Sequence, residues 1–260
     1  MPFLPIVLTV VLSIAIGLLM GVIGGGGGGI YVVVLLIFLH QDAKTAAVTA
    51  LVLSTITLSG AAVQYWKKKQ LRLDYFMALS VLDIVGTLCG NLILNHVDEN
   101  ALKITIICVL VLSGLSSLIK IRSADSDEQT PSVMKRLPAA APIGLASGLV
   151  TGTTGLSAST MLSSLLIGLL GFSPYLAVGT TTLVSFAGNL VSIIVLLAAD
   201  AALHTSSLHV DWETLLTFGI GSGLGAVFGA KLTDKINRKV LAVILAAMAI
   251  LPGIYLAVKK

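Results

Sequence analysis

Charged residues are scarce in this chain of 260 residues: only 11% are Asp, Glu, Lys or Arg, whereas 56% are hydrophobic. Soluble domains carry roughly a quarter of their residues as charged side chains, and this chain has too few to cover a globule with polar surface. The mean hydropathy of +1.03 agrees. The composition therefore excludes a water-soluble enzyme and predicts a protein embedded in a lipid bilayer.

Metal-binding and redox patterns are also missing. The two cysteines, Cys89 and Cys108, lie far apart in apolar runs, and the four histidines form neither an HExxH motif nor a His/Cys cluster. We interpret the cysteines as buried thiols that act as small apolar residues. Because no paired carboxylates or nucleophile–base pair occur either, the sequence predicts no catalytic residue, no metal and no cofactor.

Long apolar runs are what the chain does contain, and a helix needs about 20 such residues to cross a bilayer. The first run lacks a basic leader and a cleavage motif, so we expect it in the mature protein. None alternates with a period of two, which excludes a β-barrel and predicts an all-α polytopic membrane protein. The runs cover residues 4–23, 30–39, 45–66, 75–94, 101–119, 139–150, 156–170, 175–199, 212–230 and 240–258.

Most basic residues fall in three clusters, which the positive-inside rule assigns to the cytoplasm. They lie at residues 67–72, 120–136 and 231–239, while the loops at 98–99 and 200–211 are poor in Lys and Arg and belong outside. Both termini are then predicted outside. The arms 139–150 and 156–170 would reach only about 15–22 Å into a core of about 30 Å. They predict a half-depth hairpin, with a second at 4–39; full crossing by every run stays open.

Two halves of the chain resemble each other. GLLMGVIGGGGGG (residues 17–29) aligns with GLASGLVTGTTGL (144–156), and residues 44–55 resemble residues 175–186. This alignment pairs Gly17, Gly21, Gly25 and Gly28 with Gly144, Gly148, Gly152 and Gly155. Corresponding loops differ in basic charge, so we expect the halves to be inverted, as in many secondary transporters. We predict a first repeat at 1–119, a cytoplasmic linker at 120–138 and a second repeat at 139–260, each a re-entrant or broken-helix hairpin plus three transmembrane helices.

Nearly the whole chain resembles the TauE/SafE-type sulfite exporters, the four-TMS-repeat anion permeases. The resemblance rests on GVIGGGGGG (21–29), GLVTGTTG (148–155), AVGTT (177–181), KTAAVTA (44–50), VDW (210–212) and the glycine motif at 225–230. It implies export of sulfite, C2 sulfonates or related organosulfur anions. Six consecutive glycines, and GTTG in the second half, depart from the family's mixed glycine tip.

An anion inside the bilayer needs donors, and the apolar runs offer no Lys or Arg at mid-membrane. A helix that restarts after a glycine break presents unpaired amides and the positive end of its dipole. We therefore expect substrate to bind the two glycine tips, with Thr, Ser and Asn side chains from the hairpins and following helices. The predicted set is Gly25, Gly26, Gly27, Gly28, Gly29, Thr49, Thr151, Gly152, Thr153, Thr154, Gly155, Ser157, Thr180 and Asn189.

Some of these residue types have simpler explanations. Small residues in membrane helices commonly allow close backbone packing, and we assign that role to Gly17, Gly21, Gly86, Gly90, Gly225 and Gly229. Thr153 and Thr154 are equally explained as helix N-caps. Asp83, an acidic residue deep within a run, is either a proton-coupling carboxylate or a protonated side chain hydrogen-bonded between helices.

The sequence thus predicts an inner-membrane carrier that exports a small sulfur-containing anion by alternating access between two inverted repeats. An anion channel, uptake of an oxyanion such as thiosulfate by ion symport, and a membrane scaffold are the alternatives. The expected partners are the small anionic substrate and the lipid bilayer, without nucleic acid; a homodimer stays open.

Overall fold

A computed structural model describes residues 3–37, 39–122, 133–203 and 212–233, and these form nine helices. The all-α class is confirmed for this part of the chain. The predicted span 240–258, residues 123–132 of the linker and most of the loop 200–211 lie outside the described residues. The helices are α1 (Phe3–Ile23), α2 (Gly28–Ile37), α3 (Ala43–Lys67), α4 (Leu73–His96), α5 (Glu99–Arg122), α6 (Val133–Thr154), α7 (Ser159–Leu170), α8 (Pro174–Leu203) and α9 (Trp212–Leu232).

Four of the described helices, α3, α4, α8 and α9, are long and apolar enough to cross a membrane. Their outward faces carry large apolar side chains such as Val81, Leu92 and Phe228, more than half of whose surface is exposed. Such faces are stable against lipid and not against water. Cys89 of α4 and Cys108 of α5 are exposed, so the prediction that they are buried is wrong. A run that is apolar on all sides does not reveal which side faces lipid.

Each hairpin consists of one long and one short helix. α1 has 21 residues and α6 has 22, against 10 for α2 and 12 for α7. The predicted short arm 139–150 is therefore wrong: it is the middle of α6, which is about 33 Å long at 1.5 Å per residue. The apolar run is cut off by Lys135, Arg136 and Pro138, but the helix continues through Pro138 and Pro142.

The helix boundaries of the two halves correspond closely, although not in the register expected from the glycines. α1 ends one residue before Gly24 and α6 one residue before Gly155, and both glycines have positive φ. Gly17 and Gly148 likewise face corresponding positions, Ser222 on α9 and Asp83 on α4. The sequence pairing of Gly17 with Gly144 is thus displaced by about one helical turn.

Two glycine seams hold the long helices together, α1 against α9 and α6 against α4. In both seams the residue numbers rise together, so the paired helices run parallel. Added Cβ atoms would meet backbone of the facing helix at each of the six glycines assigned to packing, which confirms that assignment. They are Gly17, Gly21, Gly86, Gly90, Gly225 and Gly229.

The α1–α9 seam predicts different effects of two alanine substitutions on α9. A Cβ on Gly229 would collide with the backbone carbonyl of Leu18, whereas the nearest atom to a Cβ on Gly223 is the Ile56 side-chain Cγ2 at 3.1 Å. We expect Gly229→Ala to lower the free energy of unfolding by about 1–3 kcal/mol. Gly223→Ala should be close to neutral, because alanine's better helix propensity offsets the tight contact. Unfolding in detergent followed by circular dichroism measures both; equal losses would contradict the seam.

Candidate substrate site

Both hairpins break at glycine. Residues 24–27 form the first tip, between α1 and α2, and residues 155–158 form the second tip, between α6 and α7. Gly24, Gly27 and Gly155 have φ of 69°, 74° and 66°, a left-handed conformation that side chains disfavour and glycine adopts readily. Glycine is therefore required at these three positions for the chain to reverse.

The two tips contact each other in the interior of the protein. The amide of Gly26 donates a hydrogen bond of 3.0 Å to the Ser159 hydroxyl, which also receives one from Ser157 Oγ at 3.3 Å. A Cβ added to Gly26 would lie 2.8 Å from Ser157 Cβ, and one added to Gly28 would lie 2.6 Å from Ser157 N. Backbones this close leave no room for side chains, so glycine is also required here for the tips to meet.

Two helix N-termini converge at this contact. α2 begins at Gly28, and its first internal hydrogen bond runs from Tyr31 N to the Gly27 carbonyl. The amides of Gly28, Gly29 and Ile30 consequently have no carbonyl acceptor within the helix. α7 begins after Ala158, which provides no side-chain cap, and neither first turn contains an acidic residue. Each terminus carries about half a positive charge.

A cavity of about 50 Å³ lies between the tips. This is several times the volume that one water molecule needs. Polar groups reach it from the tip backbones and from Ser157 and Thr160, and apolar side chains form the remaining wall. The lining residues are Met20, Gly27, Gly28, Gly29, Ile30, Val109, Leu110, Val150, Leu156, Ser157, Ala158, Thr160 and Met161.

The positive potential of this cavity comes from backbone alone, because none of its described lining residues is charged. Nor does the described part of the chain group three His, Cys, Asp or Glu side chains as a metal site would require. Amide N–H groups and hydroxyls are hydrogen-bond donors suited to a small anion. The arrangement can bind negative charge without a counter-ion.

Comparison with known proteins gives the family. The family described as "Sulfite exporter TauE/SafE" matches residues 9–256, nearly the full length. The chain belongs to this family. It is also 24% identical over 238 residues to the "Probable membrane transporter protein YdhB" of Bacillus subtilis (strain 168), covering 90% of this chain and 93% of that protein. No solved structure matches the chain with significance.

Membership of the TauE/SafE family makes the chain a multi-pass membrane transporter and not an enzyme. The expected family resemblance is thereby confirmed. A membrane transporter acts on a small substrate, and the cavity between the tips is the candidate place for it.

Not every predicted tip residue of this TauE/SafE protein has a free amide. The amides of Gly25 and Gly155 bond to the carbonyls of Met20 and Thr151 at the ends of α1 and α6, and Gly26 N bonds to Ser159. Among the predicted glycines, Gly27, Gly28 and Gly29 line the cavity, and Ser157 joins them from the second tip.

The predicted hydroxyls at the second tip lie inside α6. Thr153 and Thr154 donate to the carbonyls of Leu149 and Val150, at 2.7 and 2.6 Å. They are in the last turn of α6, so the alternative that they cap the next helix is wrong; Ala158 holds that position. Gly152 belongs to the α4 seam, and the buried Thr151 hydroxyl has no hydrogen-bond partner among the described residues.

Three predicted residues lie away from the cavity wall. Thr180 Oγ1 accepts a hydrogen bond from Arg72 N at 3.0 Å, in the loop before α4. Asn189 Nδ2 donates to Ser54 Oγ at 3.0 Å and joins α8 to α3. Thr49 is fully buried and its hydroxyl has no described partner.

Two contacts at the tips were missed from the sequence. Ser159 accepts the Gly26 amide, and Thr182 donates to the Gly24 carbonyl at 3.0 Å. Each hydroxyl is supplied by the half of the chain that does not contain its glycine partner. Thr182 follows directly on the AVGTT motif, but nothing in one sequence indicates which distant backbone a threonine contacts.

The contact between the tips predicts a stability difference between two serines of α7. Ser159→Ala removes the acceptor of the Gly26 amide and leaves a buried donor unpaired, which should cost about 1–3 kcal/mol. Ser164 is also fully buried, but its hydroxyl donates only to the Thr160 carbonyl of its own helix. Ser164→Ala should be nearly neutral. Thermal unfolding in detergent compares them, and an S159A protein as stable as S164A would disprove the contact.

Proposed function

We propose that this protein exports a small sulfur-containing anion, such as sulfite or a C2 sulfonate, and binds it in the cavity between the two tips. The observation that carries the proposal is the convergence of two helix N-termini on one cavity whose described lining residues are uncharged. The family to which the chain belongs is described as sulfite exporters, and the chemistry of the cavity suits that class of substrate.

The binding chemistry follows from the backbone. Two helix N-termini together supply about one positive elementary charge, and the amides of Gly28 and Gly29 point from a buried helix start. A sulfonate or sulfite group presents three oxygens to such donors. A lysine in the cavity would bind the anion through a full positive charge in a medium of low dielectric constant, and would therefore slow its release. Backbone amides carry only partial charges, so they select for negative charge and still permit release.

The packing of the helices supports an inverted arrangement of the halves. Lys68 Nζ donates to the Lys231 carbonyl at 3.3 Å, so the basic ends of α3 and α9 lie side by side. α9 runs towards this end, whereas α4 starts near it, after the loop that follows Lys67. Since α1 runs parallel to α9 and α6 parallel to α4, the two hairpins enter from opposite faces. With the basic end in the cytoplasm, α1 enters from outside.

The same packing indicates which parts move in alternating access. The first bundle consists of α1–α3 with α9, and the second bundle consists of α4 and α5 with α6–α8. Each bundle is closed by a glycine seam and contributes one tip to the cavity. We propose that these exchanged bundles, rather than the sequence halves, rock against each other at the α3–α8 interface.

Export agrees with the energetics of an interior-negative cell. Moving one elementary charge through 100 mV is worth about 2.3 kcal/mol. An anion leaving the cell moves with this field, so the voltage alone favours exit.

The proposed site predicts selective stabilisation by sulfur anions. The measurement is thermal unfolding of the purified protein in the presence of sulfite, thiosulfate, sulfate, a C2 sulfonate or chloride. An anion present at a concentration 100 times its dissociation constant adds about 2.7 kcal/mol to the free energy of unfolding. Gly28→Val should abolish the shift, because its Cβ would lie 2.6 Å from Ser157 N and cover the cavity amides. Gly144→Ala is the control variant, since its Cβ would meet Leu82 Cβ at 3.1 Å and the Leu79 side chain at 3.3 Å, outside the cavity.

Two outcomes would contradict the proposal. An equal shift with chloride would show that the protein responds to ionic strength and not to a sulfur oxyanion. A shift that survives in G28V would place the anion elsewhere.

In liposomes, trans-stimulation of labelled anion flux by unlabelled anion distinguishes the carrier from a channel.

A further inference from the structure

A buried polar column runs along one face of α4. Ser80, Asp83, Thr87 and Asn91 follow at intervals of three and four residues, which places them on the same side of the helix. All four are buried, and Asp83 and Thr87 are completely inaccessible. The column extends over about 16 Å at 1.5 Å per residue. It faces α6 and α8 within the second bundle and does not line the cavity between the tips.

Hydrogen bonds satisfy this column only in part. Asp83 Oδ1 accepts from Ser147 Oγ of α6 at 2.7 Å, and Asn91 Oδ1 accepts from Ser192 Oγ of α8 at 2.9 Å. One polar atom of each column residue has no partner among the described residues: Ser80 Oγ, Asp83 Oδ2, Thr87 Oγ1 and Asn91 Nδ2. Buried polar atoms are normally paired because an unpaired one is costly. Four along one helix face call for a functional explanation.

The packing makes room for the Asp83 carboxyl in particular. Its Oδ2 atom occupies the space that a Cβ on Gly188 of α8 would fill, and Thr87 Oγ1 is 3.5 Å from that same point. The only residue at position 188 that leaves this carboxyl in place is therefore glycine. The free oxygen, the threonine hydroxyl and the glycine form one compact site.

The corresponding place in the first bundle is neutral. Ser222 faces Gly17 of α1 as Asp83 faces Gly148 of α6. There Ser222 contacts Tyr31, whose hydroxyl also pairs with Thr57 Oγ1 at 2.7 Å. The fold is thus stable with neutral hydroxyls at this position, so joining the helices does not require a carboxyl.

No described cation neutralises Asp83. The carboxyl has no ion-pair partner in the described part of the chain, and a charged one there would cost several kcal/mol. Burial without a counter-ion favours the neutral carboxyl, and Oδ2, which has no described partner, is the oxygen free to carry the proton. Other titratable or charged residues lie on the helices around Asp83. On α4 they are Asp74, Tyr75, Cys89 and His96, and on α8 Tyr175; the side chains of Lys135, Arg136 and Asp200 lie outside the described residues.

We propose that the Asp83 carboxyl binds and releases one proton in each transport cycle, and that the polar column conducts this proton along α4. The proposal rests on the transport function proposed above. In the step itself the O–H bond at Oδ2 breaks, the proton passes to a neighbouring hydroxyl or water, and the carboxylate is reprotonated from the other side. No oxidant or further reactant is needed.

The test measures anion flux in proteoliposomes with the membrane potential clamped by potassium and valinomycin. A C2 sulfonate is the probe, because its charge stays constant near neutral pH and a pH gradient then acts on the protein alone. In the wild type we expect the initial rate to differ between inside-acid and inside-alkaline vesicles. Asp83→Asn should lose this difference completely and keep anion counterflow. Ser222→Ala, at the corresponding place in the other bundle, should retain both.

The outcomes separate the two proposals. A wild-type initial rate that is the same in inside-acid and inside-alkaline vesicles, or an Asp83→Asn protein whose rate still differs between them, overturns proton coupling and leaves the transport function intact. Absence of counterflow for every sulfur anion overturns both. If Asp83→Asn does not fold, infrared spectroscopy of the wild type provides the test. The wild type should show a protonated-carboxyl band that disappears at high pH, and Asp83→Glu should shift the frequency of this band. A band that never titrates contradicts the proposal.

Discussion

The close contact between the two glycine tips is the constraint on which the rest of this structure depends. Gly26 can donate to Ser159, and Gly28 can approach Ser157, only because neither glycine has a side chain. This contact brings two helix N-termini to one place, and their summed dipoles give the cavity its attraction for anions. Any side chain at the contact would separate the termini and remove that potential. Four of the six consecutive glycines, Gly24, Gly26, Gly27 and Gly28, are therefore requirements of geometry.

The glycine seams within each bundle are rigid, so in the proposed alternating access each bundle can move as one unit while it keeps its tip in place. The glycines of α1 and α9, and those of α6 and α4, bring backbones into direct contact and fix each long helix to a partner. Contacts between the bundles are concentrated at the tips and between α3 and α8: Gly28 approaches Ser157, Gly155 packs on the Ala47 carbonyl, and Asn189 donates to Ser54. In the proposed alternating access these are the contacts that must be exchanged, whereas the two seams stay intact.

Much of this organisation could be predicted from the sequence, and the errors have physical causes. The apolar runs gave the helices, and the glycine breaks gave both hairpins. The register between the halves was displaced because glycines four residues apart match equally well after a shift of one turn. The helix ends at Ile23 and Thr154 and the contacts of Gly17 and Gly148 distinguish the alternatives. The length of α6 was underestimated because prolines and basic residues end an apolar run without ending the helix. Ser159 and Thr182 were missed because their partners lie in the other half of the chain.

In the proposed mechanism the different roles of the two bundles explain why a carboxyl occupies position 83 and a hydroxyl occupies the corresponding position 222. The proposed anion site needs both tips, since each supplies one helix terminus. A proton site needs a single carboxyl, and a second one at Ser222 would add another buried acid without a counter-ion. Asp83 also lies off the cavity wall, so its charged form would not directly oppose an anion between the tips. In the proposed mechanism, this separation lets one protein bind an anion with backbone amides and carry a proton on a side chain.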